Sequence, residues 1–191
     1  MEKADILTIL RSKSSVFSFK EILIGSGEKK SQLLRRRLNY YVKQGELYPI
    51  RRGLYARDKN YDRFELATKI FTPSYISFET ILVEAGVIFQ YYGSIFVATY
   101  QTKEIECDDQ VYSFRKLKDT ILLNNAGVEN RGHYYAATKE RAFLDILYLN
   151  NDYYFDNLGS LDLSKIRALL PLYNNKRMVK AVDMYFKETR A

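Results

Sequence analysis

Residues 28–57, EKKSQLLRRRLNYYVKQGELYPIRRGLYAR, decide the fold of the first part of this chain. They begin with a helix predicted from Glu28 to Lys43, because apolar side chains recur at i, i+4, i+7 and i+8: Leu34, Leu38, Tyr41 and Val42. Gly45 predicts the end of that helix. A hairpin follows, with strands predicted at 46–50 and 54–57 and with Gly53 able to take the positive φ of a tight turn.

Two shorter helices are predicted before this stretch. Residues 4–11 carry apolar side chains at helical spacing, and Ser18 can cap a second helix that starts at Phe19. Helix, helix, basic helix and hairpin, in this order, are typical of a winged helix-turn-helix domain. We therefore predict such a domain over residues 1–60.

The net positive charge of the chain is confined to this first part. Residues 1–60 hold 14 lysines and arginines against 6 acids, a net charge of +8, whereas residues 61–191 hold 16 against 17. A charge concentrated in this way indicates a polyanionic partner, and the helix order favours double-stranded DNA.

The helix face opposite the apolar stripe is basic and has few acids to neutralise it. Arginine and glutamine can bond to guanine and adenine edges in a major groove, and arginines in a hairpin can contact phosphate or a minor groove. A solvated charged face is the alternative interpretation. The predicted DNA-binding residues are Lys29, Lys30, Gln32, Arg35, Arg36, Asn39, Lys43, Arg51 and Arg52.

Composition excludes several classes of protein. One cysteine, Cys107, rules out an intrachain disulfide, and no apolar run reaches the roughly 20 residues needed to cross a bilayer. With no signal-peptide segment at the start, we expect a cytoplasmic protein without membrane contact. The single histidine, His133, is predicted to be a half-buried strand residue, and we expect no metal and no cofactor.

Residues 61–191 predict a second domain, so the expected fold class is α+β: the winged helix, then a mixed domain with a small sheet and several helices. Helices are predicted at 61–71, after residue 80 up to Gly86, at 139–149 behind a Thr138 cap, at 163–170 and at 176–187. Strands are predicted at 94–99, 111–117 and 133–136.

Catalytic motifs are missing from the sequence. It has no P-loop, no nucleophile elbow and no Cys/His metal spacing, so we expect no enzyme. Four acids (Glu104, Glu106, Asp108 and Asp109) are interpreted as a polar loop between two strands. A nuclease that uses sheet carboxylates with Lys103 is an alternative.

Three segments together resemble the AbiEi antitoxin family of type IV toxin–antitoxin systems. They are RGLY at 52–55, PSYISFETIL at 73–82 and ATKERAFLDILY at 137–148, and the resemblance extends from the predicted winged helix to about Leu149. Where relatives often carry a His-Gly pair, this chain has Glu84-Ala85-Gly86.

The resemblance implies a bacterial or mobile-element repressor of its own operon. The second domain, 61–191, would counter a nucleotidyltransferase-like toxin without forming a stable complex with it. We expect operator DNA with inverted repeats, and the oligomeric state stays open. Lys139, Glu140 and Arg141 are expected to be exposed and to serve antitoxicity. The alternative is a plain winged-helix regulator whose second domain senses a ligand or partner.

Overall fold

The computed structural model describes residues 13–150 and 152–188, and its fold is α+β. The helix predicted at 4–11 lies outside the described residues. The chain divides into two compact units: unit 1 ends at Ile70, and unit 2 begins at Phe71.

Unit 1 is a three-stranded antiparallel sheet with helices. Its apolar core contains the predicted stripe: Leu34 and Leu38 are fully buried, and Tyr41 and Val42 are partly buried against the same cluster, which also includes Phe17, Ile22 and Leu47. The strands lie in the order β1-β3-β2, so the first strand pairs with the last. The described elements are β1 (Val16–Ser18), α1 (Phe19–Gly25), α2 (Ser31–Lys43), β2 (Tyr48–Arg51), β3 (Leu54–Ala56) and α3 (Arg63–Ile70).

The ends of α1 and α2 follow local sequence rules. Ser18 caps α1 as predicted, since the N–H of Glu21 donates to Ser18 Oγ (3.1 Å) and the Glu21 carboxylate accepts from Ser18 N–H (2.7 Å). Helix α2 ends as predicted, with Gly45 at φ +74° and its N–H donating to Val42 O. It begins at Ser31 rather than Glu28, because the Glu28 carboxylate accepts from Lys30 N–H (3.1 Å) in a turn before the helix.

Helix α3 belongs to unit 1, so the division falls later than the boundary predicted after residue 60. The reason is Glu65, whose buried carboxylate accepts hydrogen bonds from Ser15 N–H (2.8 Å) and Ser15 Oγ (2.7 Å) next to β1. Lys69 adds an ion pair to Glu65 (3.2 Å) and donates to Val16 O (2.6 Å). These bonds attach α3 to β1, a strand that the sequence pattern does not predict.

Unit 2 is built on a mixed six-stranded sheet of order β6-β7-β5-β4-β9-β8. The pairs β5/β7 and β4/β9 are parallel, and the other pairs are antiparallel. Its strands are β4 (Ser74–Ile76), β5 (Ser94–Thr99), β6 (Lys103–Cys107), β7 (Gln110–Lys116), β8 (Val128–Asn130) and β9 (Tyr135–Ala137). Its helices are α4 (Glu79–Glu84), α5 (Asp119–Leu122), α6 (Lys139–Leu149), α7 (Leu163–Leu169), the 3₁₀ turn Leu170–Tyr173 and α8 (Lys176–Glu188).

Two predictions about the strands of unit 2 are wrong. Glu104 and Glu106 lie on the exposed edge strand β6 and not in a loop, and only Asp108 and Asp109 form the turn, with φ +50° and +60°. His133 is exposed and lies before β9 instead of within a strand. Within residues 13–150 and 152–188, no group of three or more His, Cys, Asp or Glu side chains could hold a metal ion.

Candidate nucleic-acid interface

Helix α2 presents four polar side chains along one exposed face. Gln32, Arg36, Asn39 and Lys43 are separated by four, three and four residues, so they follow one line on the helix surface. All four are exposed, and Leu34 and Leu38 on the opposite side are buried. The helix is therefore fixed by its apolar stripe with the polar line facing solvent.

Three of the four side chains in this polar line are unpaired within the described part of the chain. No described residue forms a hydrogen bond or ion pair with the side chains of Gln32, Arg36 or Asn39. The two neighbouring arginines differ: Arg35 stacks over the Phe19 ring (4.5 Å), and the half-buried Arg37 lies 3.9 Å from Glu28. Arg36 is thus the arginine of α2 most available to a partner.

The N-terminus of α2 opens into a depression of about 500 Å³. Unlike α1, this helix has no side chain that caps it, because Lys30 occupies the N-cap position. Uncapped N–H groups and the helix dipole favour an anion at such an end. The residues that line the depression are Lys29, Lys30, Ser31, Gln32, Leu33 and Arg36.

The two hairpin arginines are not equivalent. Gly53 takes φ +80° in the turn as predicted, and Arg52 beside it is exposed. Arg51 is half-buried, and its Nη1 is enclosed without a hydrogen-bond partner among the described residues. Of the pair, Arg52 is the one that can reach a phosphate without rearrangement.

Two exposed apolar side chains on α2 were not predicted. Leu33 is 45% exposed and Tyr40 is 59% exposed, although large apolar side chains usually lie inside. They flank Arg36 at positions three before and four after it, on the edge of the polar line. The i, i+3, i+7 spacing of these residues is visible in the sequence. They were missed because the apolar stripe that contains Leu34 and Leu38 was sufficient to explain the helix.

The predicted antitoxicity residues in unit 2 are mostly buried. Lys139 is half-buried, while Glu140 is 2% exposed and Arg141 is 0% exposed. Their predicted exposure is therefore wrong, because α6 packs on several sides and leaves no polar face at its start. Arg141 in particular cannot contact a partner without unfolding its surroundings.

Arg141 is the centre of a buried polar network. Its guanidinium donates through Nε to Asp145 Oδ1 (3.2 Å) and through Nη2 to Tyr75 OH (2.9 Å) and Ile121 O (2.7 Å). Nη1 donates to Asn124 O (3.2 Å) and Ala126 O (2.6 Å). All five N–H donors are thereby used.

Asp145 completes the network from the other side. Its carboxylate also accepts from Tyr75 OH (3.0 Å), Ser77 Oγ (2.7 Å) and Tyr173 OH (2.7 Å). Burial raises the pKa of Asp145, and Arg141 together with the three hydroxyl donors opposes that rise. Since every donor and acceptor is satisfied internally, the arrangement holds the fold of unit 2 and offers no group to a substrate.

No protein-family model matches this chain, and comparison with curated proteins finds no significant match. Among the described helices, none combines the length and apolar character that crossing a membrane requires.

Proposed function

We propose that unit 1 is a winged helix-turn-helix that binds double-stranded DNA with α2 in the major groove. The observation that carries this proposal is the exposed line Gln32, Arg36, Asn39 and Lys43, whose first three side chains have no partner among the described residues. Arginine, glutamine and asparagine are the side chains that read guanine and adenine edges. A helix needing only solubility would pair such cations with acids at i+4.

The order of elements supports this interpretation. Strand β1, helices α1 and α2, and the β2–β3 hairpin follow one another, and β1 pairs with β3 beside the hairpin. In this arrangement Arg52 lies at the hairpin turn, where a wing contacts the sugar–phosphate backbone.

The depression at the start of α2 supplies a second type of contact. Lys29 and Lys30 line it at an uncapped helix N-terminus, which favours a phosphate group. One helix would then position the protein on phosphate with its first turn and read bases with the turns that follow.

For the whole chain we propose a cytoplasmic, non-enzymatic autorepressor and antitoxin that counters a nucleotidyltransferase-like toxin without a stable complex. The resemblance to the AbiEi family supports this. Tyr75 and Ser77 come from one segment that carries the resemblance, Arg141 and Asp145 from another, and all four meet in a single network. One hydrogen-bond network thus joins the two segments in unit 2.

The test uses full-length protein with the DNA upstream of its own gene and with the neighbouring open reading frame. We expect a retarded complex that survives competition by scrambled DNA, and rescue of cells that express a neighbouring nucleotidyltransferase. Operator binding without rescue would favour a plain winged-helix regulator. Metal-dependent cleavage of plasmid DNA would favour the nuclease, and absence of any specific complex would contradict the proposal.

A further inference from the structure

Two depressions on unit 2 adjoin and form one groove. They measure about 330 and 370 Å³, and both are lined by Glu129, Thr138, Glu140 and Lys165. The first is also bounded by Glu84, Ala85, Arg131 and Lys139, and the second by Gly127 and Leu169. The groove therefore runs along the start of α6, between β8 and α7.

Glu140 lines both parts of this groove. Glu140 is 2% exposed, and its Oε1 accepts one long hydrogen bond from Asp162 N–H (3.3 Å). No described residue donates to Oε2, and this oxygen is not among the fully enclosed atoms without a partner, so it stays open to the groove. Lys139 and Lys165 line the groove, but neither forms an ion pair with this carboxylate.

Glu140 differs in this respect from the other buried acids of the described residues. Three of them have a cationic partner: Arg141 pairs with Asp145, Lys69 with Glu65, and Arg115 with Glu79. Burying a carboxylate without a counter-charge is costly, so buried acids are normally paired. Glu140 is the one that faces a groove instead of a cation.

We propose that this groove binds a guanidinium or primary ammonium group, which pairs with Glu140. Such a group can donate to Oε2 while Asp162 N–H keeps its bond to Oε1. The exposed Glu129 offers a second acceptor at the rim, whereas Glu84 is held by Arg131 (2.8 Å). The cation can belong to a free amine or to the basic side chain of a peptide. This site lies outside the proposed DNA interface and does not depend on it.

The experiment is a titration of isotope-labelled full-length protein, followed by the backbone amide signals of Glu140 and Asp162. The probes are agmatine, which carries both cationic groups, and the peptide Gly-Gly-Arg-Gly-Gly. We expect both signals to shift with saturation. Glu140→Gln keeps an oxygen for Asp162 N–H but removes the charge, so it should weaken binding by about tenfold or more.

A second variant tests the electrostatic argument by removing a positive charge from the groove instead of a negative one. Lys165 is exposed on α7, so Lys165→Gln should fold normally, and loss of this like charge should tighten binding by about two- to threefold. Glu106→Gln on β6 is the matched control, because it removes a carboxylate that does not line the groove, and its affinity should equal that of the wild type.

The titration distinguishes the two kinds of ligand and can also overturn the proposal. Saturable shifts with agmatine alone indicate a free amine as ligand, and tighter binding of the peptide indicates a basic side chain. Absence of shifts with both probes at millimolar concentration overturns the proposal, as does equal affinity of folded Glu140→Gln. If Glu140→Gln does not fold, Lys165→Gln decides: unchanged or weaker binding overturns the proposal, and tighter binding supports it.

Discussion

Arg141 and Asp145 form an ion pair of 3.2 Å on one turn of α6, and neither side chain is exposed to solvent. Because the guanidinium also reaches Tyr75, Ile121 and the loop after α5, one side chain joins the sheet, two helices and a loop. Tyr173 adds the 3₁₀ turn through its bond to Asp145. Unit 2 is therefore assembled around a charged pair as well as an apolar core.

Replacing Arg141 by methionine should destabilise unit 2 strongly. The variant leaves Asp145 buried without its cation, and removing one partner of a buried pair costs about 3–5 kcal/mol. Urea unfolding of full-length protein, followed by the tyrosine signals of unit 2, measures this loss. Arg167→Ala, which removes an exposed pair with Asp183 (3.7 Å), should change stability by less than about 1 kcal/mol.

The double variant Arg141→Met/Asp145→Leu distinguishes the cost of burying an unpaired charge from the cost of losing the hydrogen bonds. It removes both charges, so it should be more stable than Arg141→Met alone, because no uncompensated carboxylate remains. A double variant that is less stable than either single variant would show that the pair is not coupled as described.

Arg36→Ala should weaken binding to operator DNA by about 1–3 kcal/mol and relax base preference at one position. The side chain is exposed and unpaired among the described residues, so its loss should leave the fold intact. Fluorescence anisotropy with operator and scrambled duplexes measures both effects. Lys103→Ala in unit 2, with the same change of charge, should bind like the wild type.

The hairpin arginines should respond differently to substitution. Arg52→Ala should reduce the slope of log K against log salt by about one and weaken operator and random DNA alike, since a phosphate contact is lost. Arg51 is half-buried and its Nη1 has no partner among the described residues, so Arg51→Ala should act mainly on the thermal stability of unit 1 and leave the salt slope as in the wild type. Equal salt slopes for Arg52→Ala and the wild type would exclude the hairpin turn from the interface.

Glu65 should make unit 1 sensitive to acid. Burial tends to raise the pKa of Glu65, but hydrogen bonds from Ser15 and Ser14 and the charge of Lys69 hold it below its usual value. A carboxyl group whose pKa is lowered by folding stabilises the protein above its unfolded pKa, here 4.5, and this contribution is lost as the pH falls through the folded pKa. Urea titrations from neutral pH to below pH 4 should show a steeper loss for wild type than for Glu65→Gln.

The sequence predicted the helix caps and turns correctly, because these features depend on residues that are close together in the chain. The Ser18 and Thr138 caps, the Gly45 end of α2 and the Gly53 turn were predicted from residues that lie within four positions of their partners. In contrast, β1 and β4 are three residues long and gain their order from distant strands. A three-residue run carries too little periodicity to predict a strand.

The apolar residues Ala142, Phe143, Ile146 and Leu147 predict that the segment 137–149 is mainly core, which is confirmed, but the same pattern also argues against an exposed Arg141. Ala142, Phe143 and Leu144 follow it in succession, so apolar side chains point from α6 in several directions and leave no polar face for an exposed charge. Its partners Tyr75 and Tyr173 are 66 and 32 residues away. The identity of those partners therefore required the fold.

Because of this network, unit 2 can complete its buried hydrogen bonds only late in synthesis. Unit 1 ends at Ile70, whereas Asp145 lacks the last of its four donor residues until Tyr173 has been made. At ordinary translation rates the interval is on the order of ten seconds. During that time a nascent chain can carry the complete unit 1, with its proposed DNA-binding surface, while unit 2 still lacks Tyr173. A premature stop between Asp145 and Tyr173 would leave Asp145 without that donor.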